Sequence, residues 1–324
     1  MISKLTDKKD YSYALPYVSV IVVNYNHGSY IRSAIDSILN QTFTDFEIIV
    51  VDDGSQDNSR AIIKKIINQS AKKIEFLCHE NNQNLGISKT YKLALSKAKG
   101  KYIAFLEADD QWDNNYLQTK IEILDSFHSV GVVFSKYKIM SNSLYGFDMH
   151  LRQKWLEIFI EPKRPFSIFQ KMIKRNNIAT FSAFVTRKCL LDTISIDLPQ
   201  QFFFLDWWVL LQLSMKSKFY FDKKSVVYWR HHRESTLGKQ TFNEHKNRLS
   251  EFLKMISEKI GKEYHNLSRK DQLGYRKKMN SLPYFIKFYN NFNIINSLKF
   301  LRVDPVWAGE ALLSYLVNYY KHSQ

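Results

Sequence analysis

The stretch Tyr102-Ile103-Ala104-Phe105-Leu106-Glu107-Ala108-Asp109-Asp110 sets an apolar run directly against three acids within four residues. An unbroken apolar run of this length reads as a buried strand. Acids this close repel one another and are best tolerated beside a cation. Hard carboxylate oxygens suit Mg²⁺ or Mn²⁺, and such an ion suits a phosphate-bearing substrate. The plain alternative is a solvated acidic turn after a strand.

Upstream, Val18-Ser19-Val20-Ile21-Val22-Val23 is a β-branched run, followed by a turn-rich Asn24 to Ser29. Helical spacing of Ile31, Ala34, Ile35, Ile38 and Leu39 predicts a helix from Tyr30 to Asn40. A second strand, Phe46 to Val51, ends in Asp52-Asp53-Gly54-Ser55. A helix is expected from Asn58 to Gln69, a strand at Ile74 to Cys78 and a helix at Ser88 to Lys97. Strands alternating with such helices predict an α/β fold with a doubly wound, mostly parallel sheet and helices on both faces. Ligands of these sheets bind beyond the carboxyl ends of the strands. Polar groups fall there after strands one, two and four: Asn24-Tyr25-Asn26, Asp52-Asp53 and Glu107 to Asp110.

Past Asp113 the pattern is mixed. Asn114 to Phe127 reads as a helix, Val130 to Met140 and Thr180 to Thr186 as strands, and Leu205 to Lys216 as an apolar helix. Phe219 to Phe221 and Val226 to Arg230 read as two short strands. From Thr241 helical spacing dominates, through Leu249, Phe252, Leu253, Ile256 and Ile260. Asp304-Pro305 reads as a cap and first turn of an amphipathic segment to about Tyr320. The expected organisation is a polar tail over 1–16, a catalytic domain over 17–238 with halves at 17–113 and 114–238, and a basic helical region over 239–324.

The 324 residues are 45% hydrophobic, enough for a sizeable core, and carry a formal charge of +16. That charge calls for an anionic partner. Cys78 and Cys189 lie far apart without metal-ligand spacing, so buried reduced thiols of a cytosolic protein are expected. No signal peptide and no membrane span is predicted. The ten glycines include no G-x-G pair, which excludes the dinucleotide fingerprint, and no P-loop or G-x-S-x-G elbow is present. A nucleotide-binding sheet without those loops can hold phosphate through a carboxylate-bound cation instead.

Together, Val18 to Asn26, Phe46 to Ser55, Asn84-Leu85-Gly86 and Glu107-Ala108-Asp109-Asp110 resemble the family 2 glycosyltransferases. The order and spacing match across about 17–113, and more loosely to Ser235. The resemblance implies a GT-A fold and an inverting transfer of sugar from a nucleotide-diphosphate donor. It implies that Val23, Tyr25 and Asp53 hold the base and ribose, Asp53 accepting the imide N–H of a uracil or thymine, so that a UDP-sugar is favoured. Asp109 would touch the metal and diphosphate, and Glu107 stands where the family's motif usually begins with Asp. Asp110 would bind the donor sugar or cap the next turn. Where the family often has an Arg, this chain has Tyr91, and Lys89 or Lys92 would substitute.

In Phe202-Phe203-Phe204-Leu205-Asp206-Trp207-Trp208 one acid sits among six large apolar residues. Desolvation would raise its pKa toward that of a general base. The position also matches the family's catalytic carboxylate, and an ordinary helix N-cap is the competing explanation. Trp229-Arg230-His231-His232-Arg233 resembles the family's segment that closes over the diphosphate. There His232 would ligate metal or phosphate, Arg230 and Arg233 would pair with phosphate, and His231 reads as a surface residue.

Residues 262–302 hold nine Lys or Arg against two acids, interleaved with aromatics. Two explanations stand side by side: docking on an anionic membrane, and packing on the catalytic domain. No nucleic acid is expected as partner. The implied setting is the cytoplasmic, inner face of the cell membrane, with a glycan or glycolipid acceptor in bacterial surface polysaccharide assembly. A binding protein for nucleotide sugars or polyanions that keeps the fold without catalysis is the alternative.

Overall fold

The structure is a computed structural model that describes residues 15–140, 164–173, 176, 178, 180–199, 204–230, 232, 242–290, 296, 299 and 302. The expectations for residues 1–14, His231, Arg233, the boundary near Gly238 and the Asp304-Pro305 cap lie outside the described residues.

The first half alternates as expected: β1 (Val18–Asn24), α1 (Ile31–Leu39), β2 (Phe46–Asp52), α2 (Ser59–Gln69), β3 (Ile74–Cys78), α3 (Ile87–Lys97) and β4 (Tyr102–Glu107). The second half runs β5 (Gln111–Trp112), α4 (Tyr116–Ser126), β6 (Val130–Met140), α5 (Phe169–Met172), β7 (Phe184–Arg187), α6 (Lys188–Leu191), α7 (Leu205–Lys216) and β8 (Lys218–Arg230). Two long helices follow, α8 (Phe242–Glu263) and α9 (Arg269–Asn290).

One eight-stranded sheet has the order β3-β2-β1-β4-β7-β6-β8-β5. Neighbours from β3 to β4 are parallel, and β6 is parallel to β8. Strand β7 runs antiparallel to both β4 and β6, and β5 antiparallel to β8. Consecutive residues Val20, Ile21 and Val22 of β1 are all buried. Side chains alternate across a strand, so both faces of the sheet are covered.

The chain order reverses between β1 and β4, where a crevice opens beyond the strand ends. Register sets those ends level: Asn24 pairs with Asp52, and Val23 lies opposite both Val51 and Glu107.

Three expectations needed correction. The strand over Thr180 to Thr186 begins instead with a 3₁₀ turn, Phe181–Ala183, and β7 starts only at Phe184. Thr180 and Ser182 spend their hydroxyls on Glu107, the last residue of β4, and on Asp110 just beyond it, which draws this segment out of the ladder. The two short strands at 219–221 and 226–230 are one strand, β8, with a register shift between Ser135 and Lys136 that leaves Lys223, Lys224 and Ser225 unpaired. Such a bulge admits extra residues without breaking the strand. The cysteines are free but not buried: Cys189 is exposed on α6 and Cys78 is half-buried at the end of β3.

Asp222 at the bulge takes Lys120 of α4 at 2.8 Å, and both are buried. Lys120 also donates to Ser225 at 2.6 Å. Burial would raise Asp222, but the Lys120 charge and hydrogen bonds from Lys120, Ser225 and the Lys224 amide outweigh it and hold the carboxyl down at about 2.

The C-terminal helices pack on the sheet domain. Phe252 of α8 lies 5.0 Å from the Phe204 ring and 5.2 Å from Trp207, centroid to centroid. Gln170 of α5 donates to the Lys270 carbonyl of α9 at 3.0 Å. Among the described residues no helix is long and apolar enough to cross a membrane.

Candidate active site

At the open end of β1 and β2, side chains lace the loops together. Asn24 donates to Asp52 at 2.7 Å, and Ser55 donates to the same carboxylate at 2.6 Å. Asp52 is thus a structural acid. Asp53 points the other way and accepts the backbone N–H of Leu85 at 2.8 Å and of Gly86 at 3.1 Å. Burial raises its pKa in spite of those bonds, with Thr90 and His79 nearby. Gly54 permits this closure. Its φ is +76°, and a Cβ there would stand 2.6 Å from Asn82 O and Asn84 N. Tyr25 is 40% exposed, its ring free to meet a flat ligand. Val23 forms the floor between Val51 and Glu107.

The acids after β4 divide by direction. Asp110 is fully buried and accepts from the Ser182 hydroxyl at 2.6 Å and the Arg230 amide at 2.9 Å. Burial, then Asp109 and Glu107, push it well above the ordinary carboxylate range. With both oxygens engaged inward, Asp110 braces the turn rather than facing a ligand. Glu107 accepts from Thr180. Burial and the neighbouring Asp109 push it up to about 8, with Asp206 adding a further repulsion. Asp109 is turned toward His232, Oδ2 to Nε2 3.1 Å.

Arg230 ties β8 to this turn. Its Nε donates to the Asp109 carbonyl at 3.0 Å, and its guanidinium lies 4.7 Å from the Tyr30 ring centroid. Lys89 is exposed in the first turn of α3, and Lys92 pairs with Asp197. Tyr91, at the position where an Arg was anticipated, is buried against Phe105 and Phe181, ring centroids 5.5 and 4.4 Å away.

Asp206 lies in the first turn of α7, whose N-cap is Phe204, so it is not the cap itself. It accepts from Asn176 Nδ2 and from the Trp207 amide, both at 2.7 Å. Burial among Leu205, Trp207 and Trp208 pushes it up to about 7. A carboxylate with a pKa near neutrality can take a proton and release it again at working pH.

His27, Asp109 and His232 each offer a ligand atom, and these atoms lie within 4.8 Å of one another. Two imidazoles and one carboxylate suit Mn²⁺ better than Mg²⁺. The Asp109 carboxylate brings a negative charge to the two imidazoles, a mixed O/N donor set of the kind a divalent first-row ion accepts. The residues present therefore fit a divalent ion.

His27, Asn176, Thr180 and Ser182 were missed in the sequence. For His27 a signal existed, since it sits in the turn after the first strand with the other polar groups. Nothing in the weakly patterned stretch around Asn176 marks it.

A protein-family model described as Glycosyl transferase family 2 matches residues 19–190. Among curated proteins, an uncharacterized glycosyltransferase of Nostoc sp. is 40% identical over 36% of this chain and 35% of its own length. A teichuronic acid biosynthesis glycosyltransferase, TuaG, of Bacillus subtilis is 32% identical over 39% of this chain and 48% of its own. An Escherichia coli protein, WfaP, described as a UDP-Glc:alpha-D-GlcNAc-diphosphoundecaprenol beta-1,3-glucosyltransferase, is 36% identical over 38% of this chain and 46% of its own. The chain thus spans about a third to a half of the length of these relatives. The solved structure of Staphylococcus aureus TarS 1–349 with UDP-GlcNAc has a TM-score of 0.61 at 17% identity, covering 91% of this chain and 81% of that one. The mannosyltransferase PcManGT of Pyrobaculum calidifontis, with GDP-Man and Mn²⁺, has a TM-score of 0.58 at 14% identity, covering 96% and 88%. These two likenesses establish the fold, GT-A.

Proposed function

Given that the chain belongs to glycosyl transferase family 2, we propose that it is an inverting glycosyltransferase. It moves a sugar from a nucleotide-diphosphate donor, a UDP-sugar by preference, to a hydroxyl of a glycan or glycolipid. Relatives named for teichuronic acid and diphosphoundecaprenol chemistry support a setting in bacterial surface polysaccharide assembly. One observation carries the reading. Asp206, raised to about 7, shares a crevice with the acids after β4, close enough that its charge acts on Glu107.

Asp206 takes the proton of the acceptor hydroxyl as that oxygen bonds to the anomeric carbon. The bond from that carbon to the diphosphate oxygen breaks, and the nucleoside diphosphate leaves with the electron pair. Asn176 orients the carboxylate. Arg230 supplies positive charge at the leaving-group end. Tyr25 stacks on the base, and Asp53 accepts its imide N–H. Glu107 contacts the ribose or sugar. When bound at Asp109 and His232, Mn²⁺ or Mg²⁺ neutralises charge on the diphosphate.

The test is a panel of nucleotide sugars offered with Mn²⁺, read first as thermal shift and then as transfer or donor hydrolysis. Ligand binding to the native state raises its melting temperature. A UDP-sugar should stabilise and turn over. Stabilisation by a donor with neither transfer nor hydrolysis under any condition would identify a binding protein instead.

A further inference from the structure

The Asp109–His232 pair supplies two ligand atoms to the proposed cation, and His27 stands where a third is needed. We propose that His27 is itself a metal ligand, so that this chain takes up a divalent cation before any nucleotide and prefers Mn²⁺ to Mg²⁺. The proposal rests on the reading of the crevice as the diphosphate site.

Three observations converge. The candidate ligand atoms of His27, Asp109 and His232 lie within 4.8 Å of one another. The two imidazoles meet edge to face, centroids 5.7 Å apart and planes at 86°. The turn that carries His27 is held tightly. Its carbonyl accepts the Tyr30 and Ile31 amides, both at 2.9 Å, at the start of α1. The next amide, Gly28, donates to Asp57 at 2.7 Å. A Cβ on Gly28 would come within 2.0 Å of Asn58 Oδ1, so the turn closes onto the start of α2. Asp57 is also within electrostatic reach of His27.

The chemistry gives the selectivity. Mg²⁺ demands oxygen ligands, whereas imidazole nitrogen suits the later first-row metals. A site with one carboxylate and no other protein contribution would depend on nucleotide oxygens to hold its ion. Two added nitrogens remove that dependence. Packing of His27 between Tyr30 and His232 is the competing explanation, and it forecasts no effect on metal.

Mn²⁺ uptake by the nucleotide-free protein, followed by electron paramagnetic resonance, separates the two. Wild type should bind Mn²⁺, and excess Mg²⁺ should displace it poorly. His27→Phe keeps a ring for packing and loses the nitrogen, and Mn²⁺ affinity should fall by more than the ~10–100-fold that loss of a mere outer-shell partner costs. His27→Asp substitutes an oxygen ligand and should make Mg²⁺ the better competitor. Unchanged Mn²⁺ affinity in His27→Phe, or no uptake by wild type without nucleotide, overturns the proposal. If His27→Phe does not fold, an unchanged Mn²⁺/Mg²⁺ preference in His27→Asp overturns it equally. Failure of the glycosyltransferase reading shows separately, as Mn²⁺ uptake without sugar transfer.

Discussion

Asp206→Asn should stabilise the protein and inactivate it at once. Burial lifts the Asp206 carboxyl from the ordinary 3.8 to about 7. At about 1.4 kcal/mol per tenfold change in proton affinity, that rise sets a ceiling of about 4 kcal/mol. The side chain faces the crevice and is only partly buried, so solvent screening reduces the figure to about 2 kcal/mol. The sign follows from linkage. The folded pKa is raised, so the favourable state is the protonated one, fully present below pH 3.8 and lost as pH rises through 7. Asparagine never ionises. Its stability relative to wild type should therefore climb by about 2 kcal/mol between pH 4.5 and pH 8. Urea denaturation at the two pH values measures this. Asparagine matches the carboxyl in size and keeps one acceptor oxygen but cannot accept a proton, so the transfer rate should fall about 10²–10⁴-fold with donor affinity nearly unchanged. Wild-type kcat should itself rise with pH through about 7 as the base ionises. A variant within a few-fold of wild type in rate would refute the assignment of the base. A stability difference that does not change with pH would refute the desolvation argument.

Asp109→Asn should abolish metal-dependent donor binding, read by calorimetry, while the circular dichroism spectrum stays native. Asp222→Ala leaves the buried Lys120 charge unpaired and should cost about 3–5 kcal/mol, whereas a joint Lys120→Met, Asp222→Leu replacement should recover most of that in the same denaturation assay. The basic surface of residues 239–324 should bind anionic vesicles more tightly than neutral ones and release them as salt screens the charges. Point substitutions to Glu at exposed Lys270 and Lys277 are the right probe for this, because truncation would strip α8 from Phe204 and Trp207. Equal binding to neutral and anionic vesicles would leave only the packing role.

Local pattern determined the first half of this protein. Strands β1, β2 and β4 are apolar runs interrupted only by Ser19 and Glu47 near their starts, and each ends where its polar residues begin, so both the elements and their open ends were legible. Asp53, Asp109 and Asp206 stand out because a charge beside an apolar run has few local explanations. The sign of the environment at Asp206 was also readable, from the aromatic residues around it. Tertiary structure decided which acids turn inward. Nothing local separates Asp110 from Asp109, yet the hydroxyl of Ser182 and the amide of Arg230, both distant in sequence, draw Asp110 into the core. The same holds for Asp52 against Asp53, for Tyr91 as a core aromatic, and for Lys120 with Asp222, a pair 102 residues apart. His27, Asp109 and His232 come together only when β1, β4 and β8 lie in one sheet. Pairing across such separations depends on sheet order and register, which long-range packing sets and local periodicity does not encode.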